Sequence, residues 1–150
     1  MPAPAPLVLT EEITNLIKGA IDSGNVLILA VVDKDQRPVL SFRGSTAVFS
    51  SNQLSFWARN AQGNTLDSIE HNPQVAMMYR SQAVPMLEFR GRARIVTDAA
   101  ERNRVFELAH AREQQADPER KGVAVVIDLD KVSGVLGFNA DGPIWCQMER

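Results

Sequence analysis

The chain has 150 residues, of which 45% are hydrophobic and 23% charged, and a net charge of -2. That length supports one domain whose core needs no disulfide or metal, and the small negative charge excludes a general polyanion-binding protein. A single cysteine, Cys146, excludes a disulfide framework and a CxxC zinc site and makes a reducing, cytoplasmic setting the expectation.

Residues 1–9 alternate proline and alanine and lack the basic and apolar regions of a secretory signal, so they are expected to form a flexible lead-in to a domain spanning 10–150. No apolar run approaches the roughly 20 residues needed to cross a bilayer, and no membrane partner is expected. Thr10, Glu11 and Glu12 open a helix, in which Ile13, Leu16, Ile17, Ala20 and Ile21 form one apolar face and Gly24 is the stop. The unbroken apolar run Val26–Val32 predicts a strand buried on both faces, followed by a polar turn over 33–37. Pro38–Phe49 reads as a second strand region bent at Gly44, and Leu54–Ala58 as a third, together an antiparallel meander. A polar loop then leads into a helix over Thr65–His71, which Asn72-Pro73 breaks.

Gln74–Tyr79 and Met86–Val96 predict two more strands. Thr97-Asp98 caps a helix with Val105, Phe106, Leu108 and Ala109 inward, and the charged segment 112–121 reads as a loop. Val123–Leu129 and Lys131–Phe138 read as separate strands, with a turn at Gly142-Pro143 before a short tail. About seven strands in consecutive blocks, with two or three helices between blocks, favour an α+β, mainly β fold built on an antiparallel barrel or sheet.

The sequence holds no GxGxxG turn after a strand, no GxxxxGK[ST] loop and no GxSxG elbow. His71 and His110 have no partner at metal-ligand spacing, no metal is expected, and no titratable group stands out as an acid or base. What remains suits an anion. Arg59 follows a strand, and Asn60, Gln62, Asn64 and Thr65 lead into a helix N-terminus, where unpaired amides cradle phosphate. The competing reading is an ordinary turn with Asn64 or Thr65 as the cap. Arg37, Pro38, Val39, Leu40 and Ser41 begin a strand that can lie beside a flat ligand, where an arginine stabilises charge developing on a reducible ring. Trp57, Trp145 and Phe138 are the aromatics placed to meet such a ring, against a default of core or interface packing. Arg90, Arg92 and Arg94 share one strand face, which reads as a solvated or inter-subunit face rather than a nucleic-acid patch.

Taken in order, the apolar strand, the polar turn, Arg37–Ser41, the strand ending Phe56-Trp57-Ala58, the polar loop and helix, and Ile69–Tyr79 with its Asn72-Pro73 break resemble the pyridoxamine 5'-phosphate oxidase-like, FMN-binding split-barrel superfamily. The resemblance implies an antiparallel split β-barrel with flanking helices, acting as a homodimer with FMN in the groove between protomers and a small-molecule substrate. It places Arg37–Ser41 along the isoalloxazine ring, Phe56, Trp57 and Ala58 beside the ribityl chain and phosphate, and Asn64 and Thr65 at the phosphate, with Arg59 as a further phosphate ligand. Gly63, Asn64 and Thr65 stand where members commonly carry a basic pair, so the phosphate is expected to rely on Arg59 or an arginine of the partner chain. No basic C-terminal segment for pyridoxal phosphate is seen, so pyridoxamine phosphate is not the expected substrate. Two alternatives stand beside the FMN oxidoreductase: a sensing module holding haem (through His71 or His110) or a deazaflavin, and a structural domain with an empty groove.

Overall fold

A computed structural model describes residues 2–150. Thr10 caps α1 (Glu11–Lys18): its hydroxyl accepts the Ile13 N–H at 3.3 Å, and Ile13 and Ile17 are buried. The expected single helix is broken at Gly19, and α2 (Ala20–Ser23) ends on the left-handed Gly24. Glycine weakens a helix interior because its backbone loses most freedom on folding.

Nine strands form among the described residues: β1 (Ala5–Pro6), β2 (Ile28–Val32), β3 (Pro38–Phe42), β4 (Ala47–Ser50), β5 (Gln53–Ala58), β6 (Gln74–Arg80), β7 (Met86–Val96), β8 (Val123–Asn139) and β9 (Gly142–Glu149). The helices α3 (Asn64–His71), α4 (Ala99–Leu108) and α5 (Ala111–Ala116) complete the set. Strand order is β1-β9-β8-β7-β6-β2-β3, with β4 on β5 and β5 on β8. Every pairing is antiparallel except β1 with β9. The fold is α+β and mainly β, and its sheet does not close: β3 and β4 follow one another in sequence but do not pair, as in a split barrel.

Further sequence expectations need correction, among them an inward Leu108, which is 40% exposed. The Pro38–Phe49 region is two strands, because residues 43–46 turn away and leave the hairpins β2–β3 and β4–β5 unpaired with each other. β2 is buried on one face only, with Leu29 and Val31 inward and Ile28 and Ala30 half-exposed. Residues 123–138 belong to one long strand, because β7 pairs along it and a register shift opposite Arg90 and Gly91 absorbs Asp130. Segment 112–121 contains most of α5, which His110 caps by accepting the Arg112 N–H at Nδ1. β9 replaces the expected tail, β1 pairs with it, and Leu7 and Leu9 of the proline-alanine lead-in are buried.

β8 joins the two parts of the sheet. Its first half pairs with β5 and its second half with β9, while β7 runs along its other edge. Alternation along β5 divides the core. Leu54 and Phe56 enter the main cluster with Phe89, Ile127 and Leu129, whereas Trp57 joins Phe49, Val105, Phe106 and Val126 beneath α4. The arginine face of β7 is exposed as expected and is neutralised by carboxylates: Arg90 pairs with Glu88, Arg92 with Asp130, and Arg94 with Asp128 and Glu101.

Gly134 is required where β8 crosses β7. Its φ is 153°, and a Cβ there would strike the carbonyl oxygen of Met86. Gly134→Ala is expected to cost about 2 kcal/mol or more of stability, read as a lower denaturation midpoint in urea. An unchanged midpoint would mean that β7 and β8 separate there at little cost.

Candidate functional site

The link between β3 and β4 builds the site. Ser45 is buried, accepts the Trp57 N–H at 2.8 Å and donates to the Trp57 carbonyl at 3.1 Å, which ties the link to β5. Thr46 Oγ1 donates to the Arg43 carbonyl at 2.7 Å. This frame aims Arg43, whose Nε donates to Ser41 Oγ at 3.1 Å and whose Nη2 donates to Thr65 Oγ1 at 2.6 Å. The guanidinium lies 5.3 Å from the centre of the Phe56 ring. Burial pulls the Arg43 pKa below its ordinary value; the Glu113 carboxylate opposes the shift and the Arg59 charge adds to it. Guanidinium stays protonated regardless, so Arg43 is a permanent cation at the start of α3.

The α3 N-terminus lacks a side-chain cap, because Gly63 occupies the cap position. The first-turn amides therefore have no side-chain acceptor, and Arg43 reaches this end of the helix through the Thr65 hydroxyl. Beside them is a cavity of about 300 Å³ lined by Phe42, Arg43, Gly44, Ser45, Trp57, Arg59, Asn60 and Glu113. Arg59 lies 3.8 Å from Glu113 of α5. A larger cavity of about 690 Å³ between α1, α2 and the end of α4 shares Gly44 with it. The cationic side chain lining that larger space is Lys18; His110, whose Nδ1 accepts the Arg112 N–H, donates from Nε2 to Asp22 at 2.9 Å. Anion chemistry therefore concentrates in the smaller cavity, which has two arginines.

The sequence-derived residues separate into three groups. Ser41, Arg59 and Thr65 meet around Arg43, and Asn64 is exposed at the same helix start. Arg37, Pro38, Val39 and Leu40 run away from it along β3, with Arg37, Pro38 and Leu40 exposed and Val39 half-buried. Phe56, Trp57 and Ala58 are buried, and Phe56 reaches the site only as the surface beneath Arg43. The Trp57 indole points the other way. Its Nε1–H donates to Asp117 at 2.8 Å, and its ring packs edge-on against Phe106 at 5.0 Å and against Arg102 at 4.7 Å. Trp145 and Phe138 are exposed on β9 and β8.

Arg43 is the residue that sequence reasoning missed. Strand alternation was the available signal, since it places Arg43 on the same side as Ser41, next to a glycine that ends the strand. It supplies a cation at the helix start, where Gly63, Asn64 and Thr65 carry none.

Burial pushes the Asp117 carboxyl pKa up, but hydrogen bonds from the Trp57 indole and the Lys121 and Gly122 amides, with the Arg102 charge, outweigh burial and hold it below its ordinary value. A depressed folded-state pKa gives stability that is present above the unfolded value of about 3.9 and lost as pH falls through the folded one. Asp117→Asn is expected to flatten the acid limb of the stability-against-pH curve, measured by urea unfolding from pH 6 downward. An identical acid limb would show that other carboxylates carry it.

The family model described as pyridoxamine 5'-phosphate oxidase matches residues 9–135. The chain belongs to this family. Solved structures share the fold at low identity. HupZ of Group A Streptococcus is 19% identical with a TM-score of 0.61, covering 82% of this chain and 90% of its own. A candidate pyridoxamine 5'-phosphate oxidase from Lactobacillus delbrueckii is 20% identical with a TM-score of 0.63, covering 88% and 98%. General stress protein 26 of Bacillus anthracis is 19% identical with a TM-score of 0.62, covering 91% and 99%. No curated protein matches the chain. No helix among the described residues is long and apolar enough to cross a membrane.

Proposed function

We propose that the chain is an FMN-binding oxidoreductase acting on a small molecule, as a cytoplasmic homodimer with the flavin groove at the interface. The observation that carries this reading is Arg43 hydrogen-bonded to Thr65 at the uncapped start of α3, with Arg59 lining the same cavity. The cavity offers a phosphate two guanidinium groups, and Arg43 links it to the Thr65 hydroxyl at the start of α3, which has no side-chain cap. Arg43 and Thr65 would hold the phosphate and Arg59 would close over it. The edge strand β3 would lie along the ring, with Arg37 at the far end of the strand. When bound, FMN supplies electron or hydride transfer, and the protein supplies position and electrostatics.

Support for the homodimer comes from the outer face of β3. Leu40 is 68% and Phe42 72% exposed, and Phe42, Ile28 and Met78 stand in one row across β3, β2 and β6. A contiguous apolar face of this kind marks an interface. The haem alternative is less well served: both ring nitrogens of His110 are engaged, and His71 is exposed with Nδ1 beside the Asp67 carbonyl.

A visible spectrum of the purified protein with added FMN is the test. Flavin bands that stay with the protein through gel filtration are expected. A colourless protein that fails to retain FMN would sink the reading, and a Soret band would replace it with haem.

A further inference from the structure

We propose that Glu113 is a specificity-determining residue of the phosphate site, a built-in carboxylate that competes with the incoming anion and lowers the affinity for it. The proposal rests on the reading of this cavity as the phosphate end of an FMN site.

Glu113 sits in the first turn of α5 and is half-buried. Its Oε2 is 3.8 Å from Arg59 Nε, and its charge also acts on Arg43. It lines the cavity with both arginines, so the charged groups there are two cations and one anion. The absence of a side chain at Gly44 permits this approach, since a Cβ there would strike Glu113 Oε1. The helix that carries Glu113 is pinned in place. Gln114 Nε2 lies 3.1 Å from the carbonyls of Phe106, Glu107 and Ala109, and His110 is tied to Asp22. The carboxylate is thus held at the cavity by the backbone of α5, between Gly44 and Arg59.

An oxyanion entering this cavity must share the arginines with Glu113 or turn it away. Either route weakens binding relative to a neutral residue of the same shape, because like charges in one site repel and the Arg59 contact is lost. A ligand portion that carries no charge and lies outside the cavity is indifferent to Glu113. The residue therefore discriminates by the charge at the phosphate end, and the flavin is held in an exchangeable form.

The test compares the native protein with Glu113→Gln, which keeps shape and removes charge. FMN and riboflavin are titrated by flavin fluorescence, and inorganic phosphate is titrated against the arginine Nε–Hε NMR signals of Arg43 and Arg59. The variant is expected to bind FMN about three- to tenfold tighter with riboflavin unchanged, and to saturate with phosphate at a correspondingly lower concentration. Equal phosphate responses in the two proteins would overturn the proposal, as would FMN and riboflavin tightening alike, which marks a structural effect. If neither protein binds FMN while phosphate still saturates earlier in the variant, the flavin reading fails and the role of Glu113 stands.

Discussion

Arg43→Ala is expected to weaken FMN binding by about 10- to 100-fold, the range of one or two charge-assisted hydrogen bonds. Arg43 is partly buried, rests on Phe56 and is oriented by Ser41 and Thr65, so its charge is delivered with little conformational freedom left to lose. Arg59 has a side chain 58% exposed and already faces Glu113, and Arg59→Ala is expected to cost only a few-fold. Thr65→Ala is expected to fall between the two, since it removes one hydroxyl and loosens Arg43. Fluorescence titration with FMN, alongside riboflavin as the phosphate-free control, measures all three. If Arg43→Ala binds FMN like the native protein, the phosphate does not lie at the start of α3. A loss shared by riboflavin would point to a displaced β3 instead.

Phe42→Asp is expected to convert a dimer into a monomer, raising the dimer dissociation constant about 100-fold or more, as truncating a central aromatic anchor does. Phe42 is 72% exposed on an edge strand, so a charge there leaves the protomer's own core intact, and the far-ultraviolet circular dichroism should not change. Sedimentation velocity measures the association state. FMN affinity should also fall, because Phe42 lines the cavity beside Arg43 and a carboxylate there repels the proposed phosphate. A native protein that sediments as a monomer would remove the homodimer from the proposal. A Phe42→Asp protein that stays dimeric would place the interface on another face.

The legible parts of the fold were those with local chemical signals. Thr10 and Asp98 were readable as caps because a short oxygen side chain before an apolar repeat satisfies an orphan amide, and both make that bond. Met86–Val96 was readable end to end because residues alternate along it, with Arg90, Arg92 and Arg94 on one face and Phe89, Gly91 and Ala93 on the other. The misread parts were those where a partner decides. Residues 123–139 carry charges in mid-run that suggest two strands, yet β7, β5 and β9 together hold them in one. The proline-alanine lead-in has no helical or strand signal, yet Leu7 and Leu9 find the core and β9 supplies the hydrogen bonds.

The candidate site divides the same way. That Arg59, Asn64 and Thr65 would fall near one another was legible, because a polar loop entering a helix is a local pattern. Arg43 was not read, because strand alternation places it beside Ser41 without indicating what it meets. Its role depends on Thr65, 22 positions along the chain. Trp57 also depends on a distant partner: it precedes the polar loop and lines the cavity, and its indole N–H donates to Asp117, 60 positions away.

The sequence by itself determined the helices α3 and α4 and the strands β2, β5, β6 and β7, the α+β class, the order of strand, loop and helix around the candidate site, and the family resemblance. Those properties are carried by capping, periodicity and turn chemistry over a few residues. Only the tertiary structure decided that the sheet stays open between β3 and β4, that Arg43 is the cation at the helix start, and that Glu113 stands against it. Those depend on which distant segments share a few ångströms of space, and no local periodicity encodes that distance.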